Sequence, residues 1–90
     1  MTFNKLNKLR KNVDKVDEKI LKLLSKRLSL SKIIGNYKNI NKIKFEDKNR
    51  ENQIINKLSS DFKNSNLDKL FIKEIYGIIF KKSKKIMSKK

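Results

Sequence analysis

The chain has 90 residues, neither cysteine nor histidine, and a formal net charge of +16, so we expect one small domain over residues 1–90 without disulfides, triad hydrolysis or zinc chemistry. Such a domain buries only about 60 to 65% of the surface of its unfolded chain, so a monomer would be marginally stable. The N-terminus lacks the apolar core of a signal peptide, and no apolar run reaches about 18 residues, so we expect a cytoplasmic protein that does not enter a membrane.

The first forty residues predict one long helix. Apolar side chains recur there at alternating spacings of three and four, from Leu6 through Val13 and Ile20 to Ile34. Further leucines widen this pattern, which is typical of a helix that packs on more than one neighbour. Gly35 is a tolerated weak point that costs about 1 kcal/mol relative to alanine.

Two shorter helices are predicted after a polar connection. Asp47 has the side chain of an N-cap for the second helix. Ser65 followed by Asp68 resembles a capping box, so the third helix is predicted to start there and to run from Leu67 to about Met87. No strand-like alternation competes with these patterns. The predicted fold class is all-α, with a long, a short and a medium helix.

Two cations interrupt the apolar pattern of the long helix. Arg27 occupies a core position, where an unpaired guanidinium costs on the order of several kcal/mol. It therefore predicts a bound anion, a carboxylate partner such as Asp47 or Glu51, or escape of the side chain to solvent. Lys38 lies eleven residues on, within about 20° of the same face and about 16 Å along the axis. These two cations form a candidate site for a small anion.

The lysines and the arginines have different interpretations. Lysine accounts for 22 of the 25 basic residues, and many of these lysines are interpreted as solvated surface, although a basic surface also suits nucleic acid. The arginines, Arg10, Arg27 and Arg50, offer planar groups for paired hydrogen bonds to carboxylates. Asp47, Arg50 and Glu51 share one face of the second helix, either as part of a binding site or as a capping and salt-bridge cluster.

Four segments at fixed separations carry a resemblance to a known family: residues 9–10 (LR), 16–27 (VDEKILKLLSKR), 34–38 (IGNYK) and 47–51 (DKNRE). Together they resemble the all-helical chorismate mutases, a class that includes the mutase domain of bifunctional chorismate mutase–prephenate dehydratases. The resemblance covers residues 5–88 without a gap. It implies an isomerase of aromatic amino-acid biosynthesis that converts chorismate to prephenate without a cofactor or a metal.

The resemblance also implies roles for the candidate residues. Arg27 and Arg50 would hold the carboxylates of the substrate. Lys38 would donate a hydrogen bond to the ether oxygen of the breaking C–O bond. Glu51, together with the backbone near Asp47, would accept the ring hydroxyl.

The same resemblance implies an intertwined antiparallel homodimer in which Arg10 comes from the other subunit. Along one straight helix Arg10 is about 25 Å from Arg27 and about 42 Å from Lys38, beyond the reach of a side chain. A two-fold axis near Ile20 and Leu21 would bring Arg10 of each subunit beside the site of the other. Such a dimer would have two equal sites.

The third helix departs from the family pattern at one position. Ser83 matches a residue that helps to hold a carboxylate, but four residues later the usual glutamine or glutamate, a second donor to the ether oxygen, is replaced by Met87. Methionine has no hydrogen to donate. Either a neighbour such as Lys84 or Ser88 compensates, or catalysis depends on Lys38 alone and is slower.

Three alternatives stay open at this point. An isochorismate-pyruvate lyase would share the scaffold and the carboxylate clamp. A mutase-like domain without activity would be consistent with Met87. A basic helical module would bind nucleic acid with a steep dependence on salt, but this interpretation leaves the core position of Arg27 unexplained. We favour the mutase, with chorismate and prephenate as its ligands and no nucleic-acid partner.

Overall fold

A computed structural model describes residues 2–89, which form three helices and no strands: α1 (Thr2–Ile40), α2 (Lys48–Asp61) and α3 (Lys69–Ser88). The predicted all-α class is confirmed, as is the order of a long, a short and a medium helix. Over these residues no helix is both long and apolar enough to cross a bilayer. The chain divides into two compact units, an N-terminal unit ending at Leu30 and a C-terminal unit beginning at Ser31.

The connection from α1 to α2 begins with a Schellman motif. The backbone N–H of Ile43 donates to the carbonyl of Lys38 at 2.8 Å, and that of Lys42 donates to the carbonyl of Asn39 at 3.3 Å. Lys42 has a φ of 57°, in the left-handed region that this motif requires. Because these bonds satisfy the last carbonyls of α1, the helix ends there and the chain turns toward α2.

The start of α2 agrees with the prediction from the sequence. Asp47 is the N-cap, and its carboxylate accepts a hydrogen bond from the backbone N–H of Arg50 at 3.0 Å. Glu51 adds a second carboxylate in the first turn. Negative charge at this end of a helix interacts favourably with the helix dipole.

The start of α3 corrects the predicted capping box. The N-cap is Asp68, whose carboxylate accepts from the backbone N–H of Phe71 at 2.8 Å, and the helix begins at Lys69. Ser65 instead accepts a hydrogen bond from the N–H of Leu67 at 3.1 Å, within the connection that precedes the helix. Leu67 therefore lies outside α3. An ionised carboxylate is the stronger acceptor for the N–H groups at a helix start, and the serine hydroxyl is already engaged locally.

The C-terminal unit has its own small core. Helices α2 and α3 pack against each other, and Ile55 of α2 is buried, as are Ile72 and Phe80 of α3. The ring of Phe80 also contacts that of Tyr76, with the ring centroids 5.7 Å apart. These residues give the C-terminal unit a core to which both helices contribute.

The end of α1 approaches α3 closely. Ser31 and Ser83 are each 4% exposed, and the hydroxyl of Ser31 donates to that of Ser83 at 3.1 Å. One turn further along both helices, a Cβ atom added to Gly35 would lie 2.6 Å from the Cα of Met87. Only glycine allows such an approach to backbone, so Gly35 serves packing here and is more than a weak point in the helix.

The N-terminal unit contrasts with this core. It consists of the first three-quarters of α1, and all of its large apolar side chains along one face are exposed. We call this face the apolar stripe: Leu6, Leu9, Val13, Val16, Ile20 and Leu23. Ile20, near its middle, is 50% exposed. Contiguous exposed apolar surface of this kind is typical of an interaction site.

Candidate active site

Lys38 lies in the last turn of α1, where the chain turns toward α2. Its side chain is partly buried, and its ammonium donates a hydrogen bond to the carbonyl of Phe45 at 3.3 Å. An ammonium carries three N–H donors, so this contact orients the group and leaves capacity for an acceptor on a ligand. The structure thus supplies a positioned donor at the α1–α2 connection.

Arg50 and Glu51 lie next to each other at the start of α2. The Asp47 cap fixes this first turn through the backbone N–H of Arg50, and Arg50 is an exposed residue. The carboxylate of Glu51 is directed toward α3, where the Nζ of Lys84 lies 3.4 Å from its Oε2. The N-cap predicted at Asp47 is confirmed. A role for them in binding substrate stays a prediction.

Glu51 belongs to a chain of ion pairs that links α2 to α3. The Nζ of Lys84 lies 3.6 Å from Oε1 of Glu46, just before α2, and the same oxygen lies 3.0 Å from the Nζ of Lys48. The ion pairs run in the order Lys48, Glu46, Lys84, Glu51. Because two ammonium groups alternate with two carboxylates, their charges balance.

Two residues of this ion-pair chain have shifted pKa values. The hydrogen bond from Lys48, followed by the charge of Lys84, lowers the pKa of the Glu46 carboxyl from its usual 4.5. The hydrogen bond to Glu46 raises the pKa of the Lys48 ammonium above its usual 10.5. Both shifts favour the charged forms, so the charges persist across the neutral pH range.

Ser83 and Met87 lie on the face of α3 that meets α1. The hydroxyl of Ser83 is buried in its contact with Ser31. Met87 is partly buried, with its backbone and the first carbons of its side chain against Gly35. Position 87 therefore holds an apolar side chain packed on α1.

The two remaining arginines lie in the N-terminal unit. Arg27 is partly buried, in keeping with its place in the apolar pattern, and Arg10 is exposed. Their rise along α1 corresponds to about 25 Å between the two residues. Within this unit a single ligand therefore cannot contact both side chains.

The sequence did not reveal two of these features. From the sequence, Lys84 is a candidate only as a substitute for the missing donor at position 87, because nothing distinguishes it from the many other lysines near the C-terminus. No pattern used in the sequence prediction points to Ser31. Its spacing from Gly35, one helical turn, is a signal of a close helix–helix contact that could have identified it.

The arrangement favours binding and orientation of an anion over proton-transfer chemistry. Lys38 lies in the last turn of α1 beside the α1–α2 connection, and Arg50 lies beside Glu51 in the first turn of α2. Among residues 2–89 no group of three or more acidic side chains is placed to hold a metal ion. Such a set of charged hydrogen-bonding groups suits a small anion.

Comparison with known proteins places this arrangement in a family. A profile described as chorismate mutase type II matches residues 9–88. The chain is 34% identical over 82 residues to a chorismate mutase of Methanocaldococcus jannaschii, a match that covers 91% of this chain and 83% of that protein.

A second relative is much longer than this chain. The bifunctional chorismate mutase/prephenate dehydratase of Aquifex aeolicus is 34% identical over 78 residues, which is 87% of this chain but 19% of that protein. No solved structure matches the chain at a significant level. The extent and identity of the sequence matches show that the chain belongs to the chorismate mutase type II family of isomerases.

Proposed function

We propose that this chain converts chorismate to prephenate in aromatic amino-acid biosynthesis, as an antiparallel homodimer that forms two active sites. The observation that carries the proposal is the placement of Lys38, Arg50 and Glu51 around the α1–α2 connection, in a chain that matches the family over residues 9–88. The cytoplasmic location expected from the sequence stays a prediction.

The reaction needs no nucleophile. In a pericyclic rearrangement of chorismate, the ether C–O bond breaks while a C–C bond forms within the same molecule, and no atom is gained or lost. The protein therefore has to select the compact reactive conformer and to stabilise negative charge that develops on the ether oxygen. Lys38 is the proposed donor to that oxygen, and its bond to the carbonyl of Phe45 supports a fixed orientation.

The substrate carboxylates are assigned to arginines. Arg27 and Arg50 each offer a planar fork that matches a carboxylate in a paired, charge-assisted hydrogen bond. Ser83 is proposed to assist through its hydroxyl, which Ser31 already orients. Glu51, with the backbone near Asp47, is proposed to accept the ring hydroxyl of the substrate. Its placement in the first turn of α2 supports this assignment.

The apolar stripe supports a dimer. A helix that exposes a continuous apolar face in water gains stability when that face is covered. A second copy related by a two-fold axis near Ile20 and Leu21 would present the same stripe in the opposite direction, so each surface would cover the other. The same symmetry would bring Arg10, which is about 25 Å from Arg27 along its own helix, to the site of the partner.

The activity is tested by incubating the purified protein with chorismate and identifying the product by NMR. We expect prephenate from the parent and a large loss of activity in Arg27→Ala, with circular dichroism as the check that the variant is folded. Removal of an arginine that contacts the reacting substrate should lower kcat/KM by about 10²-fold or more.

The alternatives give different results in the same assay. Pyruvate released from isochorismate, with no prephenate from chorismate, would identify a lyase. A folded protein that produces neither would be a mutase-like domain without activity. Strong binding to DNA or RNA that weakens steeply with added salt, in the absence of turnover, would favour the nucleic-acid module.

The shared site is tested by mixing two inactive variants. Arg10→Ala and Lys38→Ala remove different contributions to one site, so each variant alone should be inactive. After joint refolding, the mixed dimer contains one site in which both residues are intact. With random pairing, about one quarter of the parent activity should return. If Arg10 acted within its own chain, both sites of the mixed dimer would be damaged and no activity would return.

A further inference from the structure

Lys84 connects the start of α2 to the end of α3. Its Nζ lies 3.4 Å from the Glu51 carboxylate and 3.6 Å from that of Glu46. Lys84 directly follows Ser83, which is buried against Ser31 of α1. The backbone that carries Lys84 is therefore fixed by packing, and its ammonium has a defined position between the two carboxylates.

The pair of Lys84 and Glu51 is the least exposed ion pair among the described residues. The side chains are 31% and 19% exposed, whereas Lys48 and Glu46 are 74% and 50% exposed. Water and salt screen an exposed pair strongly and a partly buried pair much less. The contact to Glu51 is thus the member of the ion-pair chain that can restrain a side chain most effectively.

Glu51 needs such a partner if a dicarboxylate binds beside it. Its negative charge repels a negatively charged ligand, and a glutamate side chain with three rotatable bonds can turn away. A cation held on the neighbouring helix offsets the repulsion and limits the rotation. Lys84 satisfies both requirements because it comes from α3 and leaves the other carboxylate oxygen of Glu51 available to accept a hydroxyl.

We propose that Lys84 is a positioning residue that holds the carboxylate of Glu51 where it accepts the ring hydroxyl of the substrate. It acts through Glu51 and does not touch the reacting atoms. The inference rests on the proposed function. It also gives Lys84 a different role from replacement of the donor that the family has at position 87.

The test compares Lys84→Gln with the matched control Lys85→Gln. Both changes remove one positive charge from neighbouring positions of α3, but Lys85 is exposed. A contact to the ring hydroxyl is present both in the bound substrate and in the transition state, so its loss raises KM with little change in kcat. We expect KM for chorismate to rise about tenfold in Lys84→Gln, the loss of one hydrogen bond to a charged group, and to stay near the parent value in Lys85→Gln.

Two further variants separate positioning from a structural role. Lys84→Arg keeps the positive charge and should retain most of the affinity for chorismate. If Lys84 had only a structural role, Lys84→Gln would lower the melting temperature. In a Glu51→Gln background, Lys84→Gln should add little further loss, because both changes affect the same contact. A full additional tenfold loss in that background would overturn the inference.

Other outcomes are equally decisive. A fall in kcat with KM unchanged would mean that Lys84 acts on the ether oxygen itself, and equal behaviour of Lys84→Gln and Lys85→Gln would mean that it has no role in the site. If the parent produced no prephenate, the proposed function would fail, and calorimetry with chorismate would replace kinetics. Equal dissociation constants for the parent and Lys84→Gln would then overturn the inference separately.

Discussion

The two units of this chain differ in the burial of their apolar residues, although α1 contributes to both. In the C-terminal unit, Ile55, Ile72 and Phe80 are buried by contacts within the chain. In the N-terminal unit, the apolar stripe is exposed along its whole length. The difference indicates that the last quarter of the long helix is stabilised by its own chain, while the first three-quarters have a surface suited to a partner.

The largest effect is expected from a charge placed on the apolar stripe. Ile20→Lys would put two ammonium groups near the proposed two-fold axis, where an unpaired buried charge costs on the order of several kcal/mol. We expect sedimentation to show loss of the dimer, and prephenate formation to be lost with it.

The control for this variant is Asn7→Lys. It adds the same charge to the same unit, but position 7 lies on the opposite face of α1 by the helical period, so dimer and activity should be retained. If Ile20→Lys sedimented as a dimer with the activity of the control, the apolar stripe would not be the interface.

The next largest effect is expected in the C-terminal unit, at the missing donor. Met87→Gln restores an N–H donor, and glutamine keeps the unbranched carbons that pack against Gly35. We expect kcat to rise by up to about 10²-fold, the size of the loss when one oxyanion donor is removed elsewhere. Met87→Leu, which donates nothing, should not reproduce the gain. An unchanged or lower rate in folded Met87→Gln would contradict the prediction.

The close approach of α1 and α3 can be tested with two matched glycine substitutions. In Gly35→Ala the new Cβ would lie 2.6 Å from backbone of Met87, so the helices must separate, at a cost of about 1–3 kcal/mol in the free energy of unfolding. In Gly77→Ala nothing lies within 4 Å of the new Cβ, and alanine should stabilise α3 by about 0.5–1 kcal/mol. Urea denaturation measures both. Equal shifts of the same sign would mean that the approach at Gly35 does not constrain the fold.

The smallest expected effect concerns the turn that carries Lys38. Lys42 has a φ of 57°, and a side chain in this region costs roughly 1 kcal/mol compared with glycine. Lys42→Gly should therefore raise the free energy of unfolding by up to about 1 kcal/mol. Lys44→Gly, in the same connection but outside the left-handed region, should lower it slightly. A destabilised Lys42→Gly variant would show that the side chain of Lys42 contributes more than its backbone strain.

The helix starts show how far local sequence determines structure. Asp47 was predicted correctly as an N-cap, since a carboxylate before a polar first turn has few competing uses. The predicted N-cap of α3 was wrong by three residues because Ser65 and Asp68 both have capping side chains. The hydroxyl of Ser65 accepts a hydrogen bond from the N–H of Leu67 instead. The sequence pattern does not indicate which of the two side chains caps the helix.

The sequence predicts candidate site residues where residue type and spacing carry the information. The positions of Lys38, Asp47, Arg50 and Glu51 follow from motifs that lie within a few helical turns. Lys84 was not predictable in this role, because its importance depends on which carboxylate α3 meets. In a chain with 22 lysines, composition hides a lysine that has a specific partner.

The sequence by itself determined the three helices, the apolar stripe and the family, since each is a pattern along one helix or a set of fixed separations. Only the tertiary structure decided that Gly35 lies against Met87, that Ser31 bonds to Ser83, and that Lys84 joins α3 to the start of α2. The physical reason is that a periodic pattern specifies which face of a helix is apolar. The side chains that meet across two helices depend on how those helices pack.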